Sequence, residues 1–167
     1  MGDFSIRVEK ENFTFAAAHF LLFHDGACER VHGHNYRAWI ELSGTLEEND
    51  YVLDFLAIKP IMKTICDHLD HRVLLPKDNP HIKIDEIEGS VEARYRNLRY
   101  CFPAADVVLL PIHNTSAELL AQYICKEFKQ AVDRRFRTAH LGVIRVGVEE
   151  SFGQAAVYEE RYECPSN

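Results

Sequence analysis

Alternation of apolar and polar residues at both ends of the chain is the feature that most restricts its fold. Near the amino terminus it runs through residues 4–9 and 13–20, which predicts one strand or a strand pair, and it resumes over residues 34–42. Residues 141–150 and 154–161 alternate on either side of a Ser-Phe-Gly turn, which predicts a hairpin. Because such alternation is typical of strands with one buried face, these segments predict an antiparallel sheet.

Two segments between these strands have helical periodicity. The first follows Asp54, an expected N-cap, and its apolar positions are Phe55, Ile58, Met62, Ile65 and Leu69. Pro60 lies inside this segment and must either kink the helix or mark its true start. The second begins at Thr115-Ser116-Ala117-Glu118, which we interpret as a capping box, and continues to about Phe136. The predicted fold class is α+β, with two helices on one face of an antiparallel sheet.

Between the two helices lies an insert, from about Leu75 to Pro111. It contains three further strand-like runs, at His81–Ile87, Val91–Arg96 and Leu98–Phe102. We expect a small β meander attached to the main sheet, within a single domain that spans residues 1–167.

Charge and composition exclude several classes of partner. The 167 residues include 19 Lys and Arg against 26 Asp and Glu, a net charge of −7, and no basic block occurs. Nucleic acids and anionic membranes are therefore not expected as partners, although a local basic pocket could still bind a small anion. The chain has no run of 18 apolar residues and no signal-peptide pattern, which predicts a soluble, cytoplasmic protein. Its five cysteines lack CxxC pairing and fit a reducing compartment.

The histidines provide the strongest signal for chemistry, because a chain of this length folds without a structural metal. His32 and His34 are separated by one glycine, so on an extended segment both rings project from one face about 6.5 to 7 Å apart. His19 ends the preceding apolar run on its inward face. Three neutral imidazoles would form a catalytic type of zinc site with an open fourth position. The alternative is that each histidine is a hydrogen-bonded core or rim residue.

Cys28 lies four residues before His32 and has three possible roles. Near a bound cation the pKa of its thiol would fall, which would make a thiolate available as base or nucleophile. It could instead be a fourth zinc ligand that closes a structural site, or an inert loop thiol. The sequence leaves these roles open.

Asp70 and His71 directly follow the first helix, and a histidine beside a carboxylate can carry protons. Because adjacent residues of a helix do not face each other, the sequence does not predict a direct hydrogen bond between them. A polar helix terminus is the alternative interpretation.

Glu150 shares the inward face of its strand with Ile144, Val146 and Val148. A carboxylate at the end of a buried row requires a donor, and guanidine-like or aminopyrimidine ligands offer paired N–H groups. Alternatively, the strand ends at Glu149 and Glu150 belongs to the turn.

Six short segments occur in order along the chain: Phe15-Ala-Ala-Ala-His19, Cys28-xxx-His32-Gly-His34-Asn-Tyr36, Leu53-Asp54-Phe55, Leu69-Asp70-His71, Asn114-Thr-Ser-Ala-Glu118 and Val148-Glu-Glu150. Together they resemble the 6-pyruvoyltetrahydropterin synthase and 6-carboxytetrahydropterin synthase superfamily, over nearly the whole chain except the insert. The resemblance implies the tunnelling fold: a four-stranded antiparallel sheet with two helices on one side. It also implies homo-oligomers, in which trimers close into a twelve-stranded barrel and two trimers commonly form a hexamer.

The resemblance also implies roles for particular residues. The zinc ligands would be His19, His32 and His34, and the catalytic groups would be Cys28, Asp70 and His71. Glu150 would anchor the pterin ring, assisted by Thr115, Ser116 and Glu118. Since the pockets of this family lie at subunit boundaries, these residues need not meet within one chain.

The implied reaction is zinc-dependent lyase chemistry on the side chain of 7,8-dihydroneopterin triphosphate. The short spacing from Cys28 to His32 resembles the 6-carboxytetrahydropterin synthases of queuosine biosynthesis, so that activity is expected first and the 6-pyruvoyl activity second. Aldolase-like cleavage is a third alternative. It usually accompanies a carboxylate near the Cys28 position, and Glu29 is adjacent but out of register. A non-catalytic pterin- or purine-binding module is the alternative from another class, but it would not require Cys28, Asp70 and His71.

Overall fold

The computed structural model describes residues 3–162. Its strands are β1 (Phe4–His19), β2 (His32–Gly44), β3 (Arg72–Pro76), β4 (Lys83–Ile87), β5 (Ser90–Tyr95), β6 (Leu98–Pro103), β7 (Val107–Leu110), β8 (Leu141–Ser151) and β9 (Gln154–Arg161). Its α-helices are α1 (Phe55–Leu69) and α2 (Ala117–Asp133), and a single 3-10 turn precedes β7. Among the described residues, neither helix combines the length and the apolar composition that crossing a bilayer requires.

The main sheet contains six strands in the order β7-β3-β1-β2-β8-β9. The pairs β1–β2, β2–β8 and β8–β9 are antiparallel, whereas β1–β3 and β3–β7 are parallel. Both helices pack on one face, where their apolar residues share a core with alternate residues of β1, β2 and β8. The α+β class and the two helices are therefore confirmed.

The expected four-stranded, wholly antiparallel sheet is wrong, because β3 and β7 extend it by two parallel strands. These strands contain the short apolar runs Val73–Leu75 and Val107–Leu110. Parallel strands are usually covered on both faces, so their sequences are continuous apolar runs without alternation. For this reason, alternation of apolar and polar residues did not predict β3 and β7.

The insert contains the three predicted strands, and it also supplies β7, which pairs with β3 in the main sheet. The strands β4, β5 and β6 form a separate antiparallel sheet. A second hydrophobic cluster joins this sheet to the chain around Phe20 and Leu75, with Ile82, Val91 and Ala93 contributed by the insert. The three-stranded sheet of the insert is thus held by side-chain packing, while β7 joins the insert to the main sheet by strand pairing.

The helix starts differ in part from the sequence prediction. Asp54 caps α1 as expected, since its carboxylate accepts from the Leu56 N–H at 2.8 Å. Pro60 lies inside this helix and does not mark its start. The capping box of α2 is wrong: Ser116 is the N-cap without a side-chain hydrogen bond, and the Thr115 hydroxyl donates to the Phe20 carbonyl at 2.9 Å instead.

The face of the sheet that the helices leave uncovered is polar. Arg145 on β8 donates to Glu41 on β2 and to Glu159 on β9, with both contacts at 2.7 Å. These three residues are register partners, so they form a carboxylate–guanidinium–carboxylate row across three strands. Arg7 stacks 3.9 Å above the ring of Trp39 on the same face.

Candidate functional site

Three histidines converge where β1 ends and β2 begins. His19 and His32 are direct register partners, and His34 follows two residues later on the same face. The ring centroids are 4.7 Å apart for His19 and His32 and 5.3 Å apart for His19 and His34. One nitrogen from each ring lies within 4.8 Å of the other two, which makes the cluster able to hold a metal ion.

Backbone carbonyls orient two of these rings. The Nδ1 atom of His19 lies 2.9 Å from the Thr115 carbonyl, and Nδ1 of His32 lies 2.9 Å from the Arg30 carbonyl. Because a carbonyl oxygen only accepts, Nδ1 must carry the proton in both rings, and Nε2 keeps its lone pair. Burial lowers the pKa of His19, which favours the neutral ring that a metal ligand needs.

Glu150 lies directly beside the histidine cluster. Its Oε1 atom is 3.5 Å from Nε2 of His19 and 3.7 Å from Nε2 of His34. The strand β8 continues to Ser151, so the alternative that it ends at Glu149 is wrong. The pairing with β9 shifts register between Glu149 and Ser151, and such an irregularity can direct an additional side chain inward.

Tyr36 also belongs to this site, although the sequence analysis included it only as part of a motif and assigned it no role. Its fully buried hydroxyl donates to Oε1 of Glu150 at 3.3 Å and lies 3.2 Å from Nε2 of His19. Burial, together with the charge of Glu150, raises the pKa of Tyr36 and keeps it a donor. The available signal was alternation, because residue 36 shares one face of β2 with both histidines of that strand.

Cys28 lies in the loop between β1 and β2 and is half-buried. Among the described residues, the metal-ligand cluster consists of the three histidines and does not include this cysteine. Burial raises the pKa of its thiol, hydrogen bonding with Tyr100 acts in the opposite direction, and the charge of Glu29 adds to the rise. The neighbouring Glu29 has a buried Oε2 atom that makes no hydrogen bond and lies 3.9 Å from Nδ1 of His32.

Asp70 and His71 contact each other directly, which the sequence interpretation did not predict. The helix ends at Leu69, and His71 adopts a left-handed backbone with φ of 55°, so helical geometry no longer separates the two side chains. Oδ2 of Asp70 is 2.9 Å from Nδ1 of His71, and Oδ1 accepts from the Ala16 N–H at 2.7 Å. The Ala16 N–H and the His71 ring lower the pKa of Asp70, so this carboxylate stays ionised.

Two clefts flank the histidines. A groove of about 480 Å³ is lined by His34, Asn35, His71 and Arg72, while a smaller cleft of about 210 Å³ is lined by Ser116, Glu118 and Glu150. The smaller cleft thus brings together three of the four residues that the resemblance assigned to the substrate.

The other assigned residues lie outside the smaller cleft. Thr115 is fully buried, and it contributes its carbonyl to His19. No hydrogen bond or ion pair of the described residues links Cys28 to Asp70 or His71, and the His71 side chain is 83 % exposed.

Comparison with known protein families agrees with this geometry. The family described as 6-pyruvoyl tetrahydropterin synthase matches residues 7–161. The chain belongs to this family. The match extends through the insert as well as the histidine cluster.

Two relatives named as 6-carboxy-5,6,7,8-tetrahydropterin synthases are similar to this chain in sequence. A protein of Methanocaldococcus jannaschii, named provisionally as a 6-carboxy-5,6,7,8-tetrahydropterin synthase, is 35 % identical over 150 residues, which is 89 % of this chain and 91 % of the relative. A 6-carboxy-5,6,7,8-tetrahydropterin synthase of Haemophilus influenzae is 38 % identical over 78 residues, covering 44 % of this chain and 55 % of the relative.

The solved structure of Plasmodium vivax 6-pyruvoyltetrahydropterin synthase is similar with a TM-score of 0.89. It is 30 % identical, and the match covers 97 % of this chain and all of the other. A second structure of the Plasmodium protein, with the same TM-score and 29 % identity, is described as a catalytic-residue mutant in which a glutamate is replaced by alanine. Because 97 % of the present chain is covered, the insert has a counterpart in that enzyme.

Proposed function

We propose that the chain is a zinc-dependent lyase that acts on the side chain of 7,8-dihydroneopterin triphosphate, with 6-carboxytetrahydropterin as the most strongly supported product. The observation that carries this proposal is the convergence of His19, His32 and His34, with Cys28 close in sequence but outside the ligand cluster. Relatives named as 6-carboxytetrahydropterin synthases support the choice of product.

The donor set fits zinc. Two of the three imidazoles are fixed by carbonyls that leave Nε2 free, and His19 is kept neutral by burial. Bound zinc would polarise the side-chain oxygens of the substrate and make the neighbouring C–H bond more acidic. The proton would then be taken up by the Cys28 thiolate, and Asp70 would hold the His71 ring in place for a second proton transfer.

We propose a homo-oligomer, a trimer or a hexamer, in which His71 reaches a site in the neighbouring subunit. The exposure of His71 and its lack of a link to Cys28 in the described chain support this arrangement. Mixing Cys28→Ala and His71→Ala subunits should then restore activity, because some sites in the mixed oligomer receive both intact residues. Lack of any restoration after subunit exchange would contradict a shared site.

Glu150 would recognise the pterin ring by accepting a pair of its N–H groups. The change Glu150→Gln should weaken pterin binding by more than about tenfold, because an amide cannot accept at both atoms. Titration calorimetry of the zinc-loaded protein would measure this. Glu149→Gln is the matched control, since that carboxylate accepts from the Gly153 N–H and lies on the other side of the strand. Unchanged binding, or a parallel loss of zinc, would contradict the role in pterin recognition.

Aldolase-like cleavage to a hydroxymethylpterin is a second candidate, and one observation favours it. The buried Oε2 atom of Glu29 has no hydrogen-bond partner and faces the ring of His32, where a carboxylate could accept a substrate proton. The related Plasmodium enzyme, described as a 6-pyruvoyltetrahydropterin synthase, also has a glutamate as a catalytic residue.

Product identification tests both candidates. Purified protein would be incubated with 7,8-dihydroneopterin triphosphate and the products identified by mass. We expect 6-carboxytetrahydropterin as the product. If aldolase-like cleavage also occurs, its hydroxymethylpterin product should disappear in the Glu29→Gln variant. Formation of 6-pyruvoyltetrahydropterin alone would overturn the choice of product, and binding without turnover would indicate a pterin-binding module.

A further inference from the structure

A cleft of about 460 Å³ lies between the insert and the loop that joins β1 to β2. We call it the insert cleft. Its lining comes from both segments: Leu22, Phe23, His24, Asp25 and Gly26 of the loop, and His81, Tyr95 and Arg96 of the insert. Three of these side chains are histidine or arginine and one is acidic, although the chain as a whole has a net charge of −7. This local excess of basic groups makes the insert cleft a candidate site for an anion.

Arg96 is held in place over the loop by two contacts. Its guanidinium carbon lies 5.1 Å from the centre of the Tyr95 ring, and the Tyr95 hydroxyl in turn donates to the Gly26 carbonyl at 2.8 Å. A β-carbon added to Gly26 would overlap Nη2 of Arg96 and lie 3.2 Å from its Cζ, so the guanidinium occupies the space that a side chain would otherwise fill. The guanidinium is thus placed before any ligand binds, which lowers the entropic cost of binding.

The guanidinium of Arg96 makes no ion pair and no side-chain hydrogen bond among the described residues. Arg94, two residues earlier, is instead paired with Glu92. The one carboxylate of the cleft lining, Asp25, accepts from the Ala27 N–H at 2.9 Å. Because a planar guanidinium can donate to two phosphate oxygens at once, a phosphate group is the anion that best fits Arg96.

The insert cleft lies close to the histidine site. The strand β1 ends at His19 and Leu22 lines the cleft, so their two α-carbons are at most about 10 to 11 Å apart. The loop then folds back on itself, since Leu22 pairs with Cys28, and the Glu29 N–H donates to the Leu21 carbonyl at 2.9 Å. The thiol and one wall of the cleft therefore belong to the same short hairpin.

We propose that the insert cleft binds the triphosphate of the substrate, with Arg96 as the main contact and His24 and His81 as further donors. This inference rests on the function proposed above, because it assigns a subsite to one part of that substrate. The roles given to Glu150 and to the histidine cluster concern the pterin ring and the side-chain oxygens, so the most highly charged part of the molecule has no partner there. Arg96 contributes hydrogen bonds and charge to the affinity and takes no part in proton transfer.

The change Arg96→Ala tests the proposal, with inorganic triphosphate as the probe. Titration calorimetry of the zinc-loaded protein would measure Kd, and metal analysis of the recovered protein would show that the probe has not removed zinc. Loss of the charged donors should raise Kd by about tenfold. The rise should be smaller in Arg96→Lys, which keeps the charge but loses the planar fork. Arg134→Ala is the matched control, since this exposed arginine donates to Gln130 at 3.0 Å at the end of α2.

Substrate affinity provides a second readout. In Arg96→Ala, KM for 7,8-dihydroneopterin triphosphate should rise by about tenfold while kcat stays within about twofold. The Kd of 7,8-dihydroneopterin, which has the same ring and carbon chain without phosphates, should not change. Because Arg96 is exposed, the difference between Arg96→Ala and the unchanged protein should shrink as salt is added.

An unchanged Kd for inorganic triphosphate in Arg96→Ala would overturn the proposal, and so would an equal loss of affinity for 7,8-dihydroneopterin. Weaker binding of inorganic triphosphate with an unchanged KM would indicate an anion site separate from the substrate and would also overturn it. A loss of affinity in Arg72→Ala but not in Arg96→Ala would place the phosphates in the groove beside His71 instead. Since binding of inorganic triphosphate requires no turnover, these outcomes are distinguishable from a failure of the proposed reaction.

Discussion

Replacement of Cys28 by alanine should lower turnover by about 10² to 10⁴ while zinc content and substrate affinity stay at the level of the unchanged protein. The reason is that three imidazoles suffice to hold the metal, and the cysteine lies outside their cluster. The pterin ring would be bound elsewhere, in the cleft that contains Glu150. The measurements are steady-state kinetics, metal analysis and pterin titration of the same preparation.

Cys101→Ala is the matched control for this variant, because Cys101 is an exposed thiol of the insert. If Cys28 is instead a fourth ligand, zinc content or affinity should fall together with activity, and the open-site mechanism must be abandoned. Near-normal turnover in a zinc-replete Cys28→Ala protein would exclude the thiolate as well. The base would then have to be His71 or Glu29.

The changes His32→Ala and His34→Ala should each lower zinc affinity by more than about 100-fold, which is the upper range for loss of an outer-shell partner alone. Each removes one of only three nitrogen donors, so the remaining pair cannot complete the site. Activity should disappear with the metal. Competition with a chromophoric chelator would measure the affinity of each variant.

His24→Ala is the control, since this exposed loop histidine does not belong to the cluster. Circular dichroism and thermal unfolding should show that all three variants remain folded, because the core lies between the helices and the sheet. Full retention of zinc in both His32→Ala and His34→Ala would contradict the assigned ligand set.

Much of the fold was predictable because most strands of the main sheet bury only one face. Alternation therefore indicated the segments that became β1, β2, β8 and β9. It failed at β3 and β7, whose apolar runs are continuous, and it could not show that β4, β5 and β6 form a separate sheet. That separation depends on packing around Phe20 and Leu75, which are distant in sequence.

The histidine site was predictable for a similar reason. The i, i+2 spacing and the inward face of His19 depend on strand geometry alone, so sequence was sufficient to bring the three rings together. The contact between Asp70 and His71 was not predictable from the sequence, because it depends on the left-handed backbone of His71 immediately after the helix.

The charged row across β2, β8 and β9 determines how further copies of the chain could pack on that side. Removing ionic side chains from water is costly, so the surface formed by Glu41, Arg145 and Glu159 must stay hydrated. Copies that enclosed it would surround a water-filled channel instead of a second dry core. The outer strands β7 and β9 are the edges of the main sheet, where unpaired backbone groups can pair with another chain without burying that charged row.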